Sequence, residues 1–158
     1  MNVLLVCTGN TCRSPMAAEM LKEMADDVPL KRNVKVKSAG TFAAEDMPAT
    51  GKAITVMSEK GYDIKHHKSA QFNQHLADWA DIILTMEAKH IENIEAMVPE
   101  AEAKCHTLLG FVEGVAGYPG DGRFDIIDPF DEPIEEYIVC ADILELAVKK
   151  LINLFESE

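Results

Sequence analysis

The sequence predicts an α/β domain, a small four-stranded parallel sheet with helices on both faces. Two strand-like segments, residues 2–6 and 82–84, are continuous apolar runs without polar alternation, as in strands covered on both sides. Strand-like and helical segments alternate along the chain, which implies right-handed crossovers between parallel strands. Apolar residues make up 47% of the chain, enough for a core and too many for wholesale disorder. The 158 residues contain no internal repeat, low-complexity stretch or Pro/Gly/Ser-rich linker, so a single domain spanning 1–158 is expected.

The first strand, residues 2–6, leads into a polar loop. Ser14 and Pro15 then read as a helix start, Ser as N-cap and Pro at the first helical position. Met16, Met20, Leu21 and Met24 share one face of that helix. Residues 33–38 alternate Val34 and Val36 with Lys35 and Lys37, a half-exposed strand near a sheet edge. Residues 50–60 form a helix closed by Gly61, and 72–79 a short helix. After the strand at 82–84, residues 87–97 are helical and stop before Pro99. Residues 105–108 make the fourth strand, and 118–133 are a Gly-, Pro- and Asp-rich loop. A long amphipathic helix, 134–155, presents Ile134, Ile138, Ala141, Leu144, Val148 and Leu151 on one face.

Charge and cysteine usage narrow the function. With 15 Lys and Arg against 27 Asp and Glu, the net charge is −12, a poor match for nucleic acid or an anionic membrane. No apolar run reaches the ~18 residues of a spanning helix. The first apolar run ends too early for a signal peptide. Four cysteines without an export signal suggest a reducing cytoplasm and free thiols. The five histidines do not fall into ligand spacing with carboxylates or thiols, so neither a metal nor a cofactor is expected. A monomer is expected, with a dimer left open.

In a doubly wound sheet the site lies beyond the carboxyl ends of the strands, and the first such end carries Cys7. Residues 7–15 read CTGNTCRSP. Gly9 and Asn10 tolerate left-handed backbone, so the loop can turn successive N–H groups inward as an anion nest. The helix that follows adds its positive dipole end, and Arg13 adds a planar fork suited to two phosphoryl oxygens. The same surroundings are expected to depress the pKa of Cys7 and hold it as thiolate. A thiolate beneath a bound phosphoryl group is placed for in-line attack on phosphorus. A lone cysteine at a strand end is commonly just a small buried side chain. Cys, five residues, Arg and Ser-Pro directly after a buried strand form a far more specific set.

The stretch resembles the phosphate-binding loop of the low-molecular-weight protein tyrosine phosphatases. Ser38, Ala39, Gly40 and Thr41, and later Asp128, Pro129 and Phe130, are similar to two further landmarks of that family, in the right order. The resemblance covers nearly the whole chain and implies the same four-stranded parallel fold. It implies a hydrolase acting on phosphorylated proteins, with Cys7 as nucleophile, Arg13 as phosphate clamp and Asp128 as general acid. Thr8, Gly9, Asn10, Thr11, Cys12 and Ser14 would surround the phosphate. Asn10 would hold the loop's left-handed bend, and Ser14 would hydrogen-bond the thiolate. His67 would support Asn10 from behind, although His66 is its neighbour in sequence. Cys12 would protect an oxidised Cys7 as a reversible disulfide.

Asp128 has Asp121, Asp125, Asp131 and Glu132 close in sequence. Like charges disfavour ionisation and would raise its pKa; Asp125 and Asp131 are expected to be merely solvated. Two positions bear on the substrate. Thr11 stands where tyrosine-specific relatives carry a branched apolar residue, and where relatives similar to bacterial protein arginine phosphatases carry Thr. After Gly40 the chain has Ala44, Glu45 and Asp46 where tyrosine-type members place an aromatic ring. Phe42 and Phe130 remain as apolar walls, so both phosphoarginine and phosphotyrosine stay open, with arginine favoured. The alternatives are a thioredoxin-coupled arsenate reductase and a non-catalytic phosphate-binding module. The first would need two further closely spaced cysteines, but Cys105 and Cys140 lie far apart. The second would not need a thiol or an acid.

Overall fold

The computed structural model describes residues 1–115, 117 and 119–158. Tyr118, at the start of the expected loop, lies outside the described residues; no helix or strand is assigned from 119 to 133. The strands are β1 (Asn2–Cys7), β2 (Lys35–Gly40), β3 (Ile82–Thr85) and β4 (Cys105–Thr107). All pair in parallel, in the order β2-β1-β3-β4. Strand order reverses between β1 and β3, and β1 ends there in Cys7.

Among the described residues six α-helices accompany the sheet: α1 (Arg13–Asp26), α2 (Gly51–Glu59), α3 (Gln74–Trp79), α4 (Ala88–Met97), α5 (Leu108–Val112) and α6 (Ile134–Ser157). A 3₁₀ turn, Pro99–Lys104, leads into β4. The alternation of β1 divides the core. Val3, Leu5 and Cys7 pack with α1, α2 and α6, whereas Leu4 and Val6 pack with Ile83, Ile91 and Ile94 on the other side. No helix among the described residues is long and apolar enough to cross a membrane.

Local chemistry sets several boundaries. Gly61 ends α2 at φ 94°, and the Tyr62 and Gly61 N–H groups donate to the Met57 and Ser58 carbonyls as in a Schellman motif. Asn73 caps α3 by accepting from the Leu76 N–H at 2.9 Å, so that helix starts after Phe72, which is buried in the core instead. Thr107 ends β4 early because its hydroxyl caps α5, a helix absent from the sequence prediction. Ser14 is a correction. Helix α1 begins at Arg13 with Cys12 as N-cap, and Ser14 makes no cap because its hydroxyl is turned toward Cys7. Pro15 still fits, because the first turn does not use its missing N–H. In α6 the buried row runs through Tyr137, Ala141, Leu144, Val148 and Leu151; Ile138 is exposed and Tyr137 takes its expected place.

Candidate functional site

The loop between β1 and α1 is held open by its carbonyls. The carbonyl oxygens of Cys7, Thr8, Asn10, Thr11 and Cys12 accept from the Thr41, Phe42, His67, Thr50 and Met16 donors, all outside the loop, at 2.7–3.2 Å. With the carbonyls engaged by the scaffold, the N–H groups of Thr8, Gly9, Thr11 and Cys12 have no protein acceptor among the described residues. Those of Asn10 and Ser14 act on the Cys7 thiol and pull its pKa down. N–H groups without a protein acceptor are what an anion nest requires.

Asn10, at φ 56°, is the left-handed residue of the loop and is fully buried. Its Nδ2 donates to Ser14 Oγ at 2.7 Å and Ser38 Oγ at 2.9 Å, and its Oδ1 accepts from the Ala70 N–H at 2.9 Å. His67 donates from Nε2 to the Asn10 carbonyl at 2.7 Å, whereas His66 is exposed and faces Glu19. Of the two histidines, His67 is thus the one behind the loop. Ser14 Oγ lies 2.9 Å from Cys7 Sγ and only 3.4 Å from the Ala39 carbonyl. Because Asn10 already donates to Ser14, the hydroxyl proton is free to go to the sulfur.

The Cys7 thiol departs from expectation. Its burial pushes the pKa up, and the Arg13 charge, the Ser14 hydroxyl and the two N–H groups pull it down without offsetting the burial. Part of the reason lies in Arg13, whose charge is shared. Its Nη1 donates to Glu87 Oε2 at 2.6 Å and to the Ile126 carbonyl at 2.7 Å, and its Nη2 lies 3.4 Å from Asp128 Oδ2. Nη1 therefore has both protons engaged from behind, leaving Nη2 and Nε for a ligand.

A cleft of about 280 Å³ opens above the loop, lined by Cys7, Thr8, Gly9, Thr11, Cys12, Arg13, Ala44, Met47, Asp128 and Phe130. Cys7, Arg13 and Asp128 thus meet in one cavity. Asn10, Ser14 and His67 stand behind it as supports. Phe42 is a correction: it is 86% exposed and lines a neighbouring depression with Gln71, so Met47 forms the apolar wall in its place. Asp125 is another. Its Oδ1 accepts from the Ala88 N–H at 2.8 Å, tying the segment that carries Asp128 to the start of α4, and the Ile126 N–H reaches the Met86 carbonyl at 2.8 Å. Cys12 Sγ lies 3.4 Å from Thr50 Oγ1 and 3.6 Å from Tyr137 Oη. Glu87 and His90 were not anticipated. Their only sequence signal is their spacing at the start of α4, where they form a capping box.

A family model described as low molecular weight phosphotyrosine protein phosphatase matches residues 2–158. The chain belongs to this family. A protein-arginine-phosphatase of Geobacillus stearothermophilus is 42% identical, over 99% of this chain and 97% of its own. The low molecular weight protein-tyrosine-phosphatase Wzb of Escherichia coli (strain K12) is 31% identical, over 99% and 97%. A solved structure of YwlE arginine phosphatase, a cysteine-to-serine mutant with a phosphorylated active-site serine, superposes with a TM-score of 0.90. It is 34% identical and covers 100% of this chain and 97% of its own. The resemblance read from residues 7–15 is borne out, as are the fold and the class of cysteine-dependent protein phosphatase.

Proposed function

We propose that the protein removes phosphate from phosphoarginine side chains of other proteins, through a phosphocysteine formed on Cys7. The observation that carries this reading is the shared cleft. A sulfur lies beneath a ring of free N–H groups, with a guanidinium 3.4 Å from a carboxylate on the cleft wall. In the first step Cys7 Sγ attacks phosphorus as the P–N bond breaks, and Asp128 gives its proton to the leaving nitrogen. Arg13 and the loop N–H groups hold the phosphoryl oxygens as charge shifts across them. In the second step Asp128 takes a proton from water, the water oxygen attacks phosphorus, and the S–P bond breaks to release phosphate and the thiolate. A thiol held up by burial is compatible with this sequence. A thiolate with a phosphoryl monoanion and a thiol with a dianion carry the same net charge, so substrate and sulfur titrate as one coupled pair.

The cleft wall favours arginine. Thr11 offers a hydroxyl beside the attack site, and Ala44 leaves the place of an aromatic ring empty. Phosphotyrosine is the second reading, supported by the apolar Met47 and Phe130 at the rim, both about half exposed. A reductase relay finds less support. Cys105 and Cys140 are buried in β4 and α6, and burial pushes each thiol up to about 12.

Turnover of phosphoarginine and phosphotyrosine peptides under the same conditions tests the reading. Arginine turnover should exceed tyrosine turnover, and Thr11→Ile should reverse the order. Cys7→Ser should abolish both, and Asp128→Ala should slow the enzyme by about 10²- to 10⁴-fold, most with poor leaving groups. Equal substrate preference in wild type and Thr11→Ile would remove the arginine argument. Retained hydrolysis in Cys7→Ser would remove the mechanism.

A further inference from the structure

Histidine 90 is fully buried beneath the cleft, and neither the resemblance nor the proposed mechanism gives it a task. Its ring is held at both nitrogens. The Glu87 N–H donates to Nδ1 at 3.1 Å, closing the capping box of α4, so Nδ1 carries no proton. The ring proton therefore sits on Nε2, which lies 2.8 Å from Thr8 Oγ1. The opposite tautomer would set two N–H groups against each other at 3.1 Å. The imidazole also stays neutral. Burial first, then the charges of Arg13 and Lys89, pull it down to about 3, with Asp128 acting weakly the other way.

This fixes what Thr8 presents to the cleft it lines. A hydroxyl has one proton and two lone pairs, and His90 uses one lone pair. The proton and the second lone pair have no protein partner among the described residues. Asp128 and Thr11 line the same cavity. A phosphorylated guanidino group carries N–H donors around its P–N bond, whereas a phosphotyrosine ring carries none. An oxygen fixed on the wall can take one of those N–H groups once water has left, at little further entropic cost.

We propose that Thr8 is a specificity-determining residue for a guanidino leaving group, and that His90 is the positioning residue that orients its hydroxyl. The inference rests on phosphoarginine being the substrate. It adds a second polar wall to that of Thr11 and assigns a task to a buried histidine.

The decisive comparison is Thr8→Val, which keeps the shape and removes the hydroxyl. Its kcat/KM on a phosphoarginine peptide should fall about ten- to hundredfold, as for the loss of a hydrogen bond to a charged group. Its phosphotyrosine kcat/KM should fall by much less, so that the ratio of the two moves toward tyrosine. His90→Phe should show the same split, His90→Gln should restore most of the loss through its amide N–H, and Thr8→Val with His90→Phe should lose no more than Thr8→Val alone. Nitrogen-15 spectra of the imidazole should show His90 protonated at Nε2 alone well below neutral pH. A Thr8→Val enzyme that slows both substrates equally, or neither, overturns the proposal even if His90→Phe does not fold; an Nδ1–H tautomer overturns the dyad. If the wild type turns over phosphotyrosine but not phosphoarginine, the substrate reading fails first and takes this inference with it.

Discussion

Glu87 and Cys7 share the charge of Arg13. Arg13 is the largest pull against burial at Cys7, and Glu87 Oε2 sits 2.6 Å from Arg13 Nη1. Glu87→Gln keeps an acceptor and removes the opposing charge. Cys7 should then titrate lower, so more thiolate is present at neutral pH and alkylation by iodoacetamide is faster there. Arg13→Lys keeps the charge but loses the fork, and Ser14→Ala removes the hydroxyl that donates to sulfur; in Ser14→Ala the midpoint should move up. The pH profile of alkylation reads all three, and an unmoved Glu87→Gln midpoint would show that the carboxylate does not screen Arg13. The residues proposed to carry the chemistry were legible because they sit in one stretch whose types suit phosphate. Cys7, Asn10, Arg13 and Ser14 lie within eight positions, and Asp128 follows in an Asp-Pro pair. Glu87 and His90 were not legible, because they meet Arg13 and Thr8 only after β3 pairs with β1 and brings α4 beneath the loop.

The loop is shaped by the elements that touch it, and Gly40 at the end of β2 shows how closely. A Cβ there would lie 2.3 Å from the Thr8 carbonyl oxygen, 2.8 Å from Ala43 Cβ and 3.1 Å from the Asn10 nitrogen. Gly40→Ala must push the loop away from β2, loosening the Thr41 and Phe42 bonds to the Cys7 and Thr8 carbonyls. The expected cost is about 1–3 kcal/mol of stability, by urea unfolding, with a larger proportional loss of inorganic phosphate inhibition. Stability lost with phosphate binding unchanged would mean that β2 does not set the nest. Element types were read correctly from apolar runs and periodicity. Misplaced boundaries trace to single side chains: Asn73 and Thr107 cap helices that periodicity does not mark. The five-residue α5 is too short to show a helical period at all.

At the scale of the molecule, sheet order and net charge act together on the substrate. The order β2-β1-β3-β4 places Cys7 at the reversal, buried at the floor of the cleft that Asp128 also lines. The chain around it carries a net charge of −12, with Glu45, Asp46, Asp131 and Glu132 exposed near the cleft residues Ala44, Met47 and Phe130. A phosphoryl dianion approaching alone is repelled, and only inside the cleft do Arg13 and the loop N–H groups reverse the sign. A phosphorylated segment with Lys or Arg neighbours is attracted by the same field. Salt screens this field over ~8 Å at physiological ionic strength, so the effect belongs to encounter rather than to chemistry. Raising salt should therefore lower kcat/KM for a phosphopeptide with basic flanks and raise it for one with acidic flanks, while kcat stays level for both. Steering of this kind changes association rates by about 10- to 10³-fold at low salt. Parallel salt slopes for the two peptides would show that the field of the whole molecule does not select the substrate, leaving selection to the groups inside the cleft.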